Sequence, residues 1–352
     1  MIRRTAKATV KRLVERAAAA TAPAFWRARR GTLIVLMYHR VLPPGDSRLQ
    51  AEQPGMYVHP ETLHRHLRIL KRHFDPVPLD QWIQAARNGA LLTERAFALT
   101  FDDGWADNFE YAYPVLAAEQ VPATIFVVSD MVGTKRLFWP ERLAGLLRRG
   151  LDRHGDQTYT LGEFAWLRGL GIPLPSHPAQ LNPEQLDLII TACKHHDDAT
   201  LHAHADAMGG QLGDATQPAA ELLDWEQIRT MTASGLISIG SHTRRHTRLS
   251  DSLSAEQMYD EIVASRHVIE NHTGCTAPLF CYPNGDTTPA ARALVANHYL
   301  AACSTRPGWH NIHDDRYMIR RVSVHEDISR DEISLLARLA IAAYQGARNT
   351  GA

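Results

Sequence analysis

The sequence predicts an α/β fold built from parallel strands. Two observations carry this. Short apolar runs alternate along the chain with stretches of helical spacing, the signature of βαβ units. Several of these runs also end abruptly in polar residues, as buried strands do where they deliver side chains to their carboxyl ends. The clearest is 96–101, which stops at Asp102, Asp103 and Gly104. Two adjacent acids at a buried rim repel each other, so a metal ion or an arginine is expected to share them. Solvated carboxylates in an ordinary turn are the alternative, and the rest of the chain must decide.

Taken in order, residues 3–20 read as a helix with basic residues over much of its surface. The run 32–39 is a second buried strand with His39 at its carboxyl end, and Pro43, Pro44 and Gly45 mark the loop after it. Helices are expected over 60–74, with Leu63, Leu67 and Leu70 on one face, and over 80–88. The strand at 96–101 is followed by a helix at 107–119, stopped before Pro122, and a strand at 123–128.

The alternation then breaks. Residues 133–223 lack strong strands and hold helical stretches near 138–149 and 183–206, the second opened by Asn182 as cap and Pro183 in the first turn. This reads as a mostly helical insertion. It contains Lys194, His195, His196, Asp197 and Asp198, then His202, His204 and Asp206. Those residues point around a helix rather than to one side, so a solvated helix outweighs a metal site there. A helix at 225–234, ended by Gly235, and a strand at 236–241 leading into His242 resume the alternation. A helix at 254–272, a strand at 278–282, a helix at 288–297, strands at 300–304 and 317–324, and a helix at 331–344 complete it. The organisation expected is a basic leader over 1–30 and one domain over 31–352 carrying the insertion.

The chain is 45% hydrophobic and 22% charged, ordinary for a soluble globular protein, and its zero net charge gives no bulk electrostatic reason for a nucleic-acid partner. The charge is uneven: nine Lys and Arg against Glu15 put +8 on residues 1–30, leaving −8 on the remainder. The leader is read as a solvated helix packed on the domain. Contact with an anionic membrane face, through its basic residues, Phe25 and Trp26, is the competing reading. No apolar stretch reaches the roughly 18 residues of a membrane span, and the apolar segment after the first basic residues is too short and weak for a signal peptide. A cytoplasmic location is therefore expected, peripheral at the inner membrane face if the leader makes that contact. Cys193, Cys275, Cys281 and Cys303 are widely spaced, which is neither a disulfide framework nor zinc-finger spacing.

The partners for Asp102 and Asp103 come from the strand at 236–241. It runs into Ser241, His242, Thr243, Arg244, Arg245 and His246. Two imidazoles four residues apart share one face of a helical turn and can reach one ion. With one carboxylate they make a two-histidine, one-carboxylate set that leaves positions open for water and substrate, as a catalytic site requires. The second carboxylate is then free to act as a base. H-x-x-x-H alone is weak among 19 histidines, but its place after one strand, with T-F-D-D-G closing another, is a strong joint signal.

T-F-D-D-G at 100–104 followed by S-H-T-x-x-H at 241–246 resembles the first two signatures of the polysaccharide deacetylases with the NodB homology domain, carbohydrate esterase family 4. Tyr282, Pro283 and Gly285 extend the resemblance, which covers about residues 94–330. Met37, Tyr38, His39, Arg40 and Val41 are similar to the branch acting on bacterial exopolysaccharide or lipid-linked sugars. The resemblance implies a distorted (β/α)7 barrel and a metal-dependent hydrolase that removes N-acetyl groups from amino sugars of a glycan. It implies Asp102 as the general base, and Asp103, His242 and His246 as ligands of a divalent ion, zinc first, with cobalt, nickel or manganese as the others.

Two departures from the family pattern stand out. In the third signature, usually R-x-P-Y, Cys281 takes the Arg position and Asn284 the Tyr position. The backbone N–H that serves a tetrahedral oxyanion then comes from Asn284, and the brace for Asp102 must come from elsewhere. Arg321 on the last strand is the candidate. Cys281 reads as a buried strand cysteine rather than a reactive thiol. The general acid is His39 if the chain follows the branch with Tyr-His near its start, or His325 if it follows the usual pattern. Hydrolysis of another linear or cyclic amide, or silent glycan binding, are the competing functions. The retained Asp102, Asp103, His242 and His246 argue against a pure binder.

Overall fold

The computed structural model describes residues 2–27, 31–50, 52–212 and 222–348. Two compact units emerge. One comprises residues 1–44, 57–134 and 221–352, and the other 45–56 and 135–220.

The first unit is built on seven parallel strands: β1 (Thr32–Tyr38), β2 (Arg95–Phe101), β3 (Ala123–Val127), β4 (Ile237–Ser241), β5 (Leu279–Cys281), β6 (Ala301–Pro307) and β7 (Ile319–Ser323). They pair in the order β1–β7–β6–β5–β4–β3–β2, and β2 returns to β1 along seven residue pairs, so the sheet closes into a barrel. This is the (β/α)7 barrel that the resemblance implied. Two short strands flank it, Asp75–Pro76 parallel to β2 and His310–Asn311 antiparallel to β1. A separate parallel pair joins Arg40–Val41 to Tyr57–Val58.

Alternation along each strand separates an inner face from outer faces packed under the helices, where Phe280 and Ala302 join a smaller cluster of their own. Leu33, Val35, Ala96, Ala98, Leu279, Cys281, Ala301, Cys303 and Ile319 share one cluster, while Ile34, Leu36, Phe97, Leu99, Ile237 and Ile239 belong to the larger cluster packed under the helices. The first set carries many small side chains. That leaves room inside the barrel for the polar residues continuing the same parity, Thr100 and Asp102 beyond Ala98, and Arg321 beyond Ile319.

Helix Ile2–Arg27 packs along the closing helix Glu332–Arg348. Ala19, Ala22 and Trp26 are buried in the main core, so the leader is part of the barrel unit rather than a separate element. Trp26 meets Phe74 and Trp309 with ring centroids 5.1 Å and 6.0 Å away, so its ring is taken up by the core. The side chains of Arg3, Arg4, Lys7, Lys11, Phe25, Arg27, Arg29 and Arg30 lie outside the described residues. No helix among the described residues is long and apolar enough to cross a membrane.

Two expected helices are interrupted. The helix expected at 107–119 begins as a π-helical stretch, Asn108–Ala112, before Tyr113–Glu119. The helix expected at 254–272 is Ala255–Tyr259 and Ser265–Thr273 joined by π-helical Asp260–Ala264. In the second unit the stretch 183–206 is two helices, Pro183–Cys193 and Asp198–Leu212, the first capped by Asn182 Oδ1 accepting Gln185 N–H at 2.9 Å. They share a core with helix Trp139–His154. Trp166 stacks on His204 at 4.2 Å with His196 edge-on at 5.8 Å, and no set of metal-ligating side chains converges there among the described residues.

One buried contact on the outer side of β1 gives a pH prediction. His66 lies between the Tyr38 hydroxyl, 2.9 Å from Nδ1, and the Ser329 carbonyl oxygen, 2.6 Å from Nε2. A carbonyl only accepts, so Nε2 carries the proton and Nδ1 accepts the Tyr38 O–H. Burial pushes the His66 pKa down from 6.5 to about 4. The unfolded chain therefore binds a proton that the folded chain refuses between those values. The stabilising contribution of neutral His66 is complete above the unfolded pKa and is lost as pH falls towards 4, about 3 kcal/mol in all at roughly 1.4 kcal/mol per unit. In urea titrations, His66→Gln should lose less stability than wild type between pH 7 and 4. Parallel curves would refute this.

Candidate active site

The carboxyl ends of the strands bring together nearly every residue singled out from the sequence. The Asp102 N–H donates to Tyr38 O at 3.0 Å, extending the β1–β2 ladder by one residue. The chain then turns through Asp103 and Gly104, both left-handed with φ of 75° and 76°. A Cβ on Gly104 would lie 3.1 Å from Val127 Cγ1, so this turn needs glycine twice over. The turn sends the neighbouring carboxylates to different partners.

Asp102 is buried and gripped by Arg321, with Nη1 donating to Oδ1 at 2.7 Å and Nη2 to Oδ2 at 2.8 Å. The guanidinium is itself fixed by Nε–H to Ser304 O at 2.9 Å and Nη1 to Thr100 Oγ1 at 3.1 Å. Burial alone pushes the Asp102 carboxyl up. The charge and hydrogen bonds of Arg321 outweigh it and hold the pKa below the ordinary value, so Asp102 is ionised at neutral pH. The brace expected at Arg321 is in place. Cys281 lies beside it, with Sγ 3.1 Å from Arg321 Nη2 and 3.7 Å from Asp102 Oδ2. Burial pushes this thiol well up, so it stays protonated and unreactive.

Asp103 faces the histidines. Its Oδ1 is 3.4 Å from His242 Nε2 and 3.4 Å from His246 Nε2, and the two imidazoles meet edge to face at 4.9 Å. Its Oδ2 accepts the indole N–H of Trp105 at 3.0 Å, leaving Oδ1 to face the histidines. His242 Nδ1 lies 2.8 Å from Cys281 O and must donate there, which turns the Nε2 lone pair towards Asp103. Burial raises the Asp103 pKa, but His242 and His246 outweigh it and the net direction is well down. Burial lowers His242, but Asp103 and Asp102 outweigh it and the net direction is up. These opposing shifts mark a point that favours positive charge, and its donor set of two imidazole nitrogens and one carboxylate oxygen fits a divalent ion. Asp102, His242 and Cys281 also lie close enough together to suggest a cation site, but the Arg321 guanidinium already serves that carboxylate.

The stretch 242–246 is not the helical turn expected. It is a loop in which Thr243 and His246 take left-handed φ of 65° and 63°. The Ser129 N–H donates to Thr243 O at 3.2 Å and the Asp130 N–H to Arg244 O at 2.9 Å, spending on the strand β3 exit the backbone bonds a helix would keep for itself. The histidines still converge, by a different backbone route.

His39 Nε2 lies 3.9 Å from Asp102 Oδ2, and the side chain is one-fifth exposed. His325 turns elsewhere, with Nδ1 3.3 Å from Asp327 Oδ2. Asn284 has φ of 56° in the turn Pro283–Gly285, whose backbone bonds use the N–H groups of Gly285 and Asp286 and not its own. Sequence reasoning missed the support behind these groups. Asp107 accepts Arg40 Nε–H at 2.9 Å and Val41 N–H at 2.7 Å, Arg40 lies 4.1 Å over the Trp105 ring, and Asn108 Nδ2 donates to His39 O at 2.9 Å. Asp107 and Asn108 fall at the start of the helix expected at 107–119, where spacing alone gives no sign of these contacts.

Known proteins resemble this chain in sequence and in fold. The family model described as polysaccharide deacetylase matches residues 91–302. YxkH of Bacillus subtilis (strain 168), a polysaccharide deacetylase by name, is 28% identical over 146 residues, 38% of this chain and 48% of that protein. The poly-beta-1,6-N-acetyl-D-glucosamine N-deacetylase of Escherichia coli (strain K12) is 35% identical over 85 residues, 24% of this chain and 13% of that protein. The chain thus spans about half the length of the first relative, and much less of the second. Among solved structures, the Streptococcus pyogenes deacetylase PplD in complex with acetate superposes with a TM-score of 0.56 at 15% identity, covering 88% of this chain and 99% of that one. IcaB from Ammonifex degensii gives 0.53 at 17% identity, covering 88% and 97%. At these identities the likeness is one of fold.

Proposed function

We propose, from the premise that the chain belongs to the polysaccharide deacetylase family, that it hydrolyses the N-acetyl amide of amino sugars in a bacterial polysaccharide or lipid-linked glycan. The observation that carries this reading is the pairing of opposite electrostatics on neighbouring residues. Asp102 is held ionised by Arg321 while Asp103, His242 and His246 converge on a point that favours a cation.

The residues then divide the work. Asp103 Oδ1, His242 Nε2 and His246 Nε2 would hold a divalent ion, zinc first and cobalt, nickel or manganese as the others. When bound, such an ion supplies Lewis acidity towards the amide carbonyl and lowers the pKa of water. Asp102 takes the proton from the attacking water as that oxygen bonds to the carbonyl carbon. Arg321 keeps the base oriented, and its grip spends no reorganisation at the moment of reaction. The Asn284 backbone N–H donates to the oxygen on which negative charge develops. His39, rather than His325, hands a proton to the amine as the carbon–nitrogen bond breaks, because His39 faces Asp102 and His325 faces Asp327. The products are acetate and a free amino sugar.

The test is acetate release by metal-stripped protein from acetylated glucosamine oligomers, with each of the four ions supplied singly. At least one combination should release acetate. Silence with every oligomer and every ion would favour the binding protein or a different amide.

A further inference from the structure

The candidate ion ligands His242 and His246 lie in a loop whose shape its own sequence does not favour. Thr243 and His246 are non-glycine residues in left-handed conformations, with φ of 65° and 63°. Such residues hold these angles only where their surroundings dictate them. The group best placed to dictate them is Glu261, which neither the sequence nor the mechanism above uses. Its side chain is 2% exposed, and its carboxylate meets four donors from this one loop. Oε2 accepts the backbone N–H groups of Arg244 at 2.9 Å and Arg245 at 3.0 Å. Oε1 accepts the Thr247 hydroxyl at 3.0 Å and faces Arg245 Nε at 2.8 Å.

Every one of those donors sits between His242 and the residue after His246. A buried carboxylate accepting two successive N–H groups fixes the backbone at that point, because any other loop shape leaves the charge without partners. Glu261 reaches this position from the π-helical stretch Asp260–Ala264, where the local widening of the helix re-aims a side chain that a regular helix would place elsewhere. The neighbouring Asp260 binds both arginine side chains of the loop, and Asp130 holds Arg244 at 2.9 Å from the other side.

We propose that Glu261 is a positioning residue for ion binding, acting through the loop backbone to set the two imidazoles before an ion arrives. It touches neither substrate nor ion. The proposal rests on the reading that Asp103, His242 and His246 hold a divalent ion.

The experiment titrates zinc into the metal-stripped full chain by calorimetry and cobalt(II) by visible absorption. Wild type is compared with Glu261→Ala, Glu261→Gln and Glu270→Ala. Glu270 belongs to the same helical run but accepts Arg266 Nε–H and Ala277 N–H, outside the loop. Glu261→Ala should weaken zinc binding by about 10–100-fold, the usual range for residues that orient ligands. Glu261→Gln keeps an oxygen for the two N–H groups and should lose less. Both should alter the cobalt spectrum and regain most of the wild-type kcat at saturating ion, while Glu270→Ala binds like wild type.

Wild-type zinc affinity in a cooperatively folded Glu261→Ala would overturn the proposal, and so would an equal loss in Glu270→Ala. If the alanine variant does not fold, unchanged affinity and spectrum in Glu261→Gln overturn it alone. Failure of wild type to take up either ion overturns the ion-site reading itself, and the proposal with it. That result is distinct from ion uptake that the Glu261 variants match.

Discussion

Arg321→Met should destabilise the metal-stripped protein by about 3–5 kcal/mol at neutral pH, because it takes from the buried Asp102 carboxylate its paired guanidinium and both donated hydrogen bonds. Against a total stability of about 5–15 kcal/mol that is a large loss. The sign of its pH dependence makes the prediction specific. In wild type, burial raises the Asp102 pKa but Arg321 holds it below the ordinary value. A depressed folded pKa contributes stability that is present above the unfolded value of about 4 and lost as pH falls through the folded pKa. Without Arg321 burial is opposed only by the charges of His242 and His39, and the folded pKa rises. Protonation then relieves the variant as pH falls. The stability gap between the two proteins should therefore be widest near pH 7 and narrow steadily on acidification. Combining Arg321→Met with Asp102→Asn should recover much of the stability but none of the activity, since the unpaired charge is gone along with the base. Urea midpoints across the pH range decide the matter. A gap that does not change with pH would mean that the ion pair is not what Arg321 contributes.

Arg321 also marks how far the sequence could be read. The need for a brace followed from two facts of the sequence: buried adjacent acids call for a positive partner, and Cys281 stands where the resembled family places an arginine. Arg321 was the candidate for it. Most strands were legible because they are buried along nearly their whole length, as in β2, where all residues after Arg95 are covered, whereas β6 runs on past its buried residues into exposed residues 305–307. What escaped was whatever depends on backbone shape rather than residue spacing. The spacing of His242 and His246 matches a helical turn, and nothing local reveals the left-handed angles at Thr243 and His246. Those angles come from contacts with Ser129, Asp130 and Glu261, residues remote in sequence. Trp105 and Arg40 escaped for a related reason. Their value to the site lies in a stack that joins the exits of β1 and β2 and in the hydrogen bond that Trp105 donates to Asp103, and no periodicity encodes such contacts.

Asp102→Asn should lower acetate release by about 10²–10⁴-fold, the usual worth of a positioned general base, chiefly in kcat. Its ion affinity should stay near wild type. Adjacent carboxylates would ordinarily be expected to respond alike, and here they should not. Asp102 meets Arg321, while Asp103 Oδ1 faces the two histidines and its Oδ2 is taken by Trp105. The two side chains share no partner atom among these contacts, so neutralising one leaves the geometry of the other standing. Asp103→Asn should therefore show the opposite pattern: weakened ion binding, with the loss of activity eased by excess ion. Asp102→Asn leaves the Arg321 guanidinium buried beside an amide, so some loss of thermal stability accompanies it, and the comparison must be made well below the melting transition of both proteins. Equal loss of ion binding in the two variants would show that the carboxylates act as one shared cluster. A rate in Asp102→Asn within a factor of ten of wild type would remove Asp102 as the base.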